Sequence, residues 1–213
     1  MLQDCLSMGL FGSKKKQDDT AAREATAREL GLSFDPVDTI GIDPVDFFLI
    51  PGGRPYGASN MLHGRIGATE VRIFDWSAQR PHDPMPELAG FMGLGGRTIE
   101  MTAALVSLQG AVRNLLLTRG RTATTRGIPQ LATGNAEIDT RFVCHTRRPE
   151  LAGALDDPGF VVALIGSPDD TSVEFTDRSL LLAGPRRSIE QLSSFTRAAV
   201  ALAAATPGTL FVP

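Results

Sequence analysis

Reactive side chains are scarce in this sequence. It has two cysteines, Cys5 and Cys144, and three histidines, His63, His82 and His145, with a single tryptophan and a single tyrosine. Two cysteines make no disulfide framework. Cys5 falls in the N-terminal leader, so the pair reads as free thiols in a reducing compartment. The sequence contains no Cys-x-x-Cys and no His-Glu-x-x-His, and its histidines are far apart; a structural zinc site is not expected. No serine sits in Gly-x-Ser-x-Gly, which removes the nucleophile elbow. Neither a cofactor nor a complete catalytic motif is read from the chain.

Long hydrophobic runs are missing as well. The longest, Val161–Ile165 and Ala198–Ala205, fall short of a membrane span. The N-terminus does not set a basic region before an apolar stretch, as an ordinary signal peptide would, so the expected location is cytoplasmic. A net charge of −3 lacks the basic excess of a nucleic-acid-binding surface; no nucleic-acid partner is expected, although a local basic patch remains compatible.

Enough is present for a core. Of 213 residues, 42% are hydrophobic and 21% charged, an ordinary globular balance within reach of one large domain. Residues 1–19 read as a disordered basic tail and 20–213 as a single domain. The breaker-rich stretch 119–135 reads as a mobile loop or a subdomain seam.

The tail carries its own signal: Met8-Gly9-Leu10-Phe11-Gly12-Ser13 precedes Lys14-Lys15-Lys16. Leu10 and Phe11 can insert at an anionic membrane interface, and each lysine contributes about 1 kcal/mol near the charged surface. Met8–Ser13 also matches an N-myristoylation pattern if translation starts at Met8, but the Ala-, Arg- and Gly-rich composition looks bacterial, where that modification is not expected. The plain alternative is a solvated leader, since three lysines alone attach weakly and lose their hold in salt. Leu10, Phe11, Lys14, Lys15 and Lys16 are therefore the candidate contacts with an anionic membrane, at its inner face, or with an unknown protein partner.

Along the core, Asp18-Asp19-Thr20 opens an alanine-rich helix that Gly31 stops. Four prolines and Gly52-Gly53 make 35–59 irregular, with the apolar Phe47–Ile50 plugged into the core. Asn60–Ile66 and Thr69–Ser77 flank a turn at Gly67-Ala68 and read as a hairpin; Val71, Ile73 and Asp75 share one face, and Arg72, Phe74 and Trp76 the other. Residues 80–96 read as a long loop. Thr98–Leu108 and Val112–Thr118 read as two strands, and Glu137–His145 as another, with Ile138, Thr140, Phe142 and Cys144 on one face. Arg148–Leu155 and Pro158–Gly166 read as short helices. Val173–Phe175 and Leu180–Ala183 read as a second hairpin around Thr176–Ser179. Ser188-Ile189-Glu190-Gln191 is a capping box opening a last helix to about Ala205, with Ile189, Leu192, Phe195, Ala199 and Leu202 inward. Leu210–Val212 can add an edge strand. The pattern gives an α+β fold, with antiparallel sheet built from hairpins, peripheral helices and a long C-terminal helix.

The segments Asn60-Met61-Leu62-His63-Gly64-Arg65, Val71–Trp76 and Thr133–Val143 resemble an uncharacterised actinobacterial domain-of-unknown-function family. Its pattern runs N-x-L-x-G, then F-D-[YW], then T-G-[ND]-x-x-F-D-x-x-F-x-V. The similarity covers about residues 20–213; Ile138 stands where an aromatic is usual. Some members of that family resemble membrane-anchored proteins. The resemblance implies domain boundaries and no activity.

Weighed for chemistry, Cys144 beside Val143 in a strand is a small core residue. Gly90–Arg97 lacks the phosphate-loop spacing, so it reads as a flexible loop, with Arg97 as the side chain able to assist an anion. Asp75, next to Phe74 and Trp76, is the candidate acid/base group; the structural alternative is a buried carboxylate bonded to backbone or arginine, with Arg65 and Arg141 as partners. Arg147-Arg148 and Arg186-Arg187 read as solvated helix starts or sites for an acidic partner. Three functions follow: a non-enzymatic binding or scaffolding domain, peripheral to the inner membrane; a small hydrolase or transferase using Asp75; or a ligand sensor built on the two loops.

Overall fold

The computed structural model describes residues 19–37, 47–50, 56–79, 98–119 and 128–211. Leu10, Phe11, Lys14, Lys15 and Lys16 of the leader, Cys5, His82, the 80–97 loop with Arg97, and residues 120–127 lie outside the described residues.

Helix α1 (19–29) follows the expected alanine-rich segment and ends at Gly31, whose φ of +72° a side chain would resist. Strand β1 (Ser33–Val37) then pairs antiparallel with β2 (Tyr56–Ile66). This corrects the irregular reading of that stretch. Pro36 belongs to an edge strand, where a missing N–H costs no ladder bond. The hairpin of β2 and β3 (Thr69–Gln79) turns at Gly67-Ala68 as the sequence indicates.

Three expectations fail at the next elements. Thr98–Leu108 and Val112–Thr118 are one strand, β4 (Thr98–Thr118). The two halves of the supposed second hairpin are likewise one strand, β7 (Ser172–Pro185), antiparallel to β4. What looked like breaks are register shifts between Ser107, Val112 and Leu115 of β4, opposite Asp177 with its φ of +50°. The shifts have a packing reason. Ala104, Val106 and Leu108 enter the main core, and beyond the irregularity Leu115 and Leu117 do; the inward parity changes from even to odd, as a bulge allows. Gly110 sits at this point because a Cβ there would come 2.6 Å from Phe211 Cγ.

The third failure is Glu137–His145. It divides into helix α2 (Ala136–Arg141) and strand β6 (Val143–Thr146). Asn135 caps the helix by accepting from the Glu137 and Ile138 N–H groups at 3.0 and 3.2 Å. Ile138 and Phe142, read as strand alternation, are four apart and both buried, which suits a helical face equally well. Short β5 (Gln130–Leu131) pairs with β6. A 3₁₀ helix (Pro149–Asp156), α3 (Pro158–Ile165, capped by Asp157) and α4 (Ile189–Ala204) follow near their expected places. The capping box at Ser188 is present, and Leu192, Phe195, Ala199 and Leu202 are buried. In place of an edge strand, Gly208–Leu210 is a 3₁₀ turn.

The fold is α+β. Among the described residues, seven strands form an antiparallel sheet in the order β1-β2-β3-β4-β6-β5, with β7 pairing β4. Both faces are apolar. The larger core cluster takes Leu62, Ile73, Val106, Leu115 and Phe175 from the sheet and packs them against Ala27 of α1, Ile138, Leu164 and Phe195. The smaller lies on the opposite face: Met61, Phe74, Trp76, Ala103 and Leu181 with Ile50. Of the segment Phe47–Ile50 that the sequence places in the core, Ile50 is buried there and Phe47 and Leu49 pack against it half-buried. A central strand with two buried faces is a continuous apolar run, which is how Leu115-Leu116-Leu117 and Leu180-Leu181-Leu182 arise.

Replacing Asn135 by Ala is expected to cost about 1 kcal/mol in denaturant unfolding, the loss of a helix cap. A cost near zero would restore the strand reading of 137–141.

Candidate functional site

Asp75 is the sequence-derived candidate that the structure describes. β3 directs it toward the helix-covered face, where it is 5% exposed. Arg23 of α1 donates to its Oδ2 at 2.9 Å, with the guanidinium also buried. Asn60 Nδ2 donates to the same oxygen at 3.0 Å, from a bulged position of β2 with φ +53°. Arg186 Nε lies 3.4 Å from it. Thr102, directly across on β4, donates its hydroxyl to Oδ1 at 2.8 Å and accepts the Arg187 backbone N–H at 2.8 Å.

The partners expected for Asp75 are therefore corrected. Arg65 donates to the Ala68 carbonyl in its own hairpin turn, and Arg141 reaches the Ile165 carbonyl. Of Arg186-Arg187, Arg186 is exposed as a solvated helix start would be, but Arg187 is buried, grips Asp170 through both guanidinium nitrogens and lies 5.2 Å over the Phe195 ring. Gly184 makes room for this pair, because a Cβ there would come 2.6 Å from Arg187 Nη2. The Arg187 bond holds the Asp170 carboxyl below its ordinary value, against the opposing effect of burial.

Chemically, Asp75 is a structural acceptor. A general base needs an oxygen turned toward a substrate proton, and here donors from four separate segments converge on a nearly dry carboxylate. Among the described residues, the Asp75 oxygens are thus met by donors from within the fold.

Other reactive groups are also embedded. Cys144 faces the main core, and burial pushes its thiol up to about 12. His145 points to the opposite face, as neighbours on a strand must. It is buried, which lowers its imidazole pKa against the opposing Ile128 backbone contact. Asp139 accepts from the Thr133 hydroxyl and N–H and from the Gly134 N–H, pinning the loop before α2. His63 pairs with Asp35 at 3.0 Å between β2 and β1. Among the described residues no cluster of His, Cys, Asp and Glu is arranged to hold a metal.

One buried group carried no signal in the sequence. Glu174 of β7 is 1% exposed and accepts the Phe48 and Leu49 N–H groups at 3.0 and 2.9 Å, with the Thr176 hydroxyl at 3.1 Å. Burial raises its pKa, and these bonds oppose the rise. Alternation in Val173-Glu174-Phe175 places Glu174 off the main core and reads as a solvent-facing position; that holds only for a sheet wet on one face.

No family model matches the sequence, and no curated protein matches it. Among solved structures, the mycobacterial trehalose monomycolate transport factor A, TtfA, is similar, with a TM-score of 0.59 at 13% identity; the match covers 91% of this chain and 96% of that one. At that identity the likeness is one of fold. Among the described residues no helix is long and apolar enough to cross a membrane.

Two outcomes are expected. Arg23→Met should lower unfolding stability by about 3 kcal/mol, because it removes the buried cation from a buried carboxylate; a loss under 1 kcal/mol would mean that Asn60, Thr102 and Arg186 suffice to hold Asp75. For His145, the folded state disfavours the proton, so its contribution is full above the ordinary value of 6.5 and falls as pH drops below it, where the unfolded chain takes up protons. A His145→Gln variant should show a shallower stability loss on acidification from pH 7 to 5; an unchanged slope would contradict this.

Proposed function

We propose that this chain is a non-enzymatic binding or scaffolding domain that works at the inner face of a membrane. The observation that carries this reading is the use made of the buried charges. Arg23, Asp75, Glu174 and Arg187 are the buried charged side chains among the described residues, and each ties one part of the fold to another. A domain that spends its buried ionic groups on internal clamps has its recognition chemistry elsewhere, in surface and leader.

The leader fits that division. Leu10 and Phe11 supply interfacial anchors and Lys14, Lys15 and Lys16 supply the charge that an anionic surface attracts. Lys16 lies three residues before α1, so by chain geometry the span is at most about 11 Å. Because Arg23 clamps α1 to Asp75, a leader held at a membrane would hold the whole domain close to it. The fold likeness to a protein named as a trehalose monomycolate transport factor is in keeping with a non-enzymatic binding role.

The test is sedimentation with liposomes containing anionic lipid, comparing the full chain with a form lacking residues 1–17. The full chain should pellet in low salt and much less in high salt, and the truncated form should remain in solution. Equal pelleting of both forms would remove the leader from the mechanism, and no pelleting of either would remove the membrane.

A further inference from the structure

We propose that Phe47–Ile50 is a releasable strap, latched across the sheet face that carries the smaller apolar cluster by one side chain, the buried carboxylate of Glu174. The strap is attached unlike any strand in the fold. Its Phe48 and Leu49 N–H groups go to the two oxygens of one side chain, distant in sequence, at 3.0 and 2.9 Å. Its side chains meet the smaller apolar cluster: Ile50 is buried there, and Phe47 and Leu49 pack against Met61, Phe74, Trp76 and their neighbours.

Two opposed forces set the strap's hold. Burial of Ile50 and the flanking side chains favours docking, by about 1.5–3 kcal/mol for a fully buried aliphatic side chain. Against it stands the cost of drying a carboxylate, which is several kcal/mol before compensation. Among the described residues, the donors to Glu174 are two amides and the Thr176 hydroxyl, with no basic side chain. On release, water resolvates the carboxylate and both amides, so opening leaves no buried polar group unpaired. The β4–β7 pairing does not depend on the strap, because the ladder runs from Met101↔Pro185 to Leu117↔Val173 through backbone bonds. Opening is therefore local, at a free energy below global unfolding, and it withdraws Ile50 from the apolar face.

Native-state hydrogen exchange on the full-length chain tests this. In the unmodified protein, the Phe48 and Leu49 amides should exchange through a local opening, at least tenfold faster than Ala103 and Leu117 of β4 after correction for intrinsic rates. Glu174→Gln offers only one good acceptor, so it should speed Phe48 and Leu49 by a further tenfold or more while β4 protection changes little. Exchange of Phe48 and Leu49 at the β4 rate in the unmodified chain would overturn the proposal, and that reading holds even if the variant fails to fold. A variant that folds and leaves the two amides unchanged would overturn it equally.

Discussion

A carboxylate in the middle of a sheet has to be met by donors, and Asp75 is met from four segments of the chain. Arg23 comes from α1, Asn60 from the bulge in β2, Thr102 from β4, and Arg186 from the segment after β7. The desolvation cost of such a group is several kcal/mol unless its lone pairs are filled. Each donor therefore fixes the segment that carries it. Thr102 extends the same logic one step by accepting the Arg187 N–H, which sets the entry into α4. The first helix, the sheet and the approach to the last helix are oriented around one side chain.

The same economy recurs at the other buried charges. Arg187 is doubly bonded to Asp170 and stacked near Phe195, and Glu174 gathers the backbone of Phe48 and Leu49. Arg119, half-buried just after β4, likewise bonds Asp169 at 3.0 Å with its guanidinium 4.4 Å from the Phe142 ring. These contacts place polar chemistry at joints between elements.

Much of the architecture is legible in the sequence wherever a local signal and the tertiary outcome agree. Ser188 with Gln191 announces α4, Pro158 and Gly166 bound α3, and Gly67-Ala68 closes the first hairpin, because each depends on backbone chemistry within a few residues. In β4 and β7 a local cue was outvoted by packing at a distance. Gln109-Gly110-Ala111 looks like an interruption, yet Gly110 is small to admit Phe211. Thr176–Ser179 looks like a turn, yet it is where β7 adjusts to the parity change in β4. Ile138 and Phe142 satisfy both a period of two and a spacing of four, and the Asn135 cap decides for the helix. At the candidate site, Asp75 is visible as a carboxylate among aromatics, but Arg23 belongs to a helix whose docking no spacing encodes. Glu174 was invisible because alternation assigns a face without saying whether that face is wet.

A double-mutant cycle on Arg23 and Asp75, read by denaturant unfolding of Arg23→Met, Asp75→Leu and the combined variant, addresses the organising role of this pair most directly. The combined variant should be more stable than the sum of the single losses allows, with a coupling on the order of 2 kcal/mol, since removing both partners leaves no stranded charge. Additive losses, within about 0.5 kcal/mol, would contradict a clamp between α1 and the sheet.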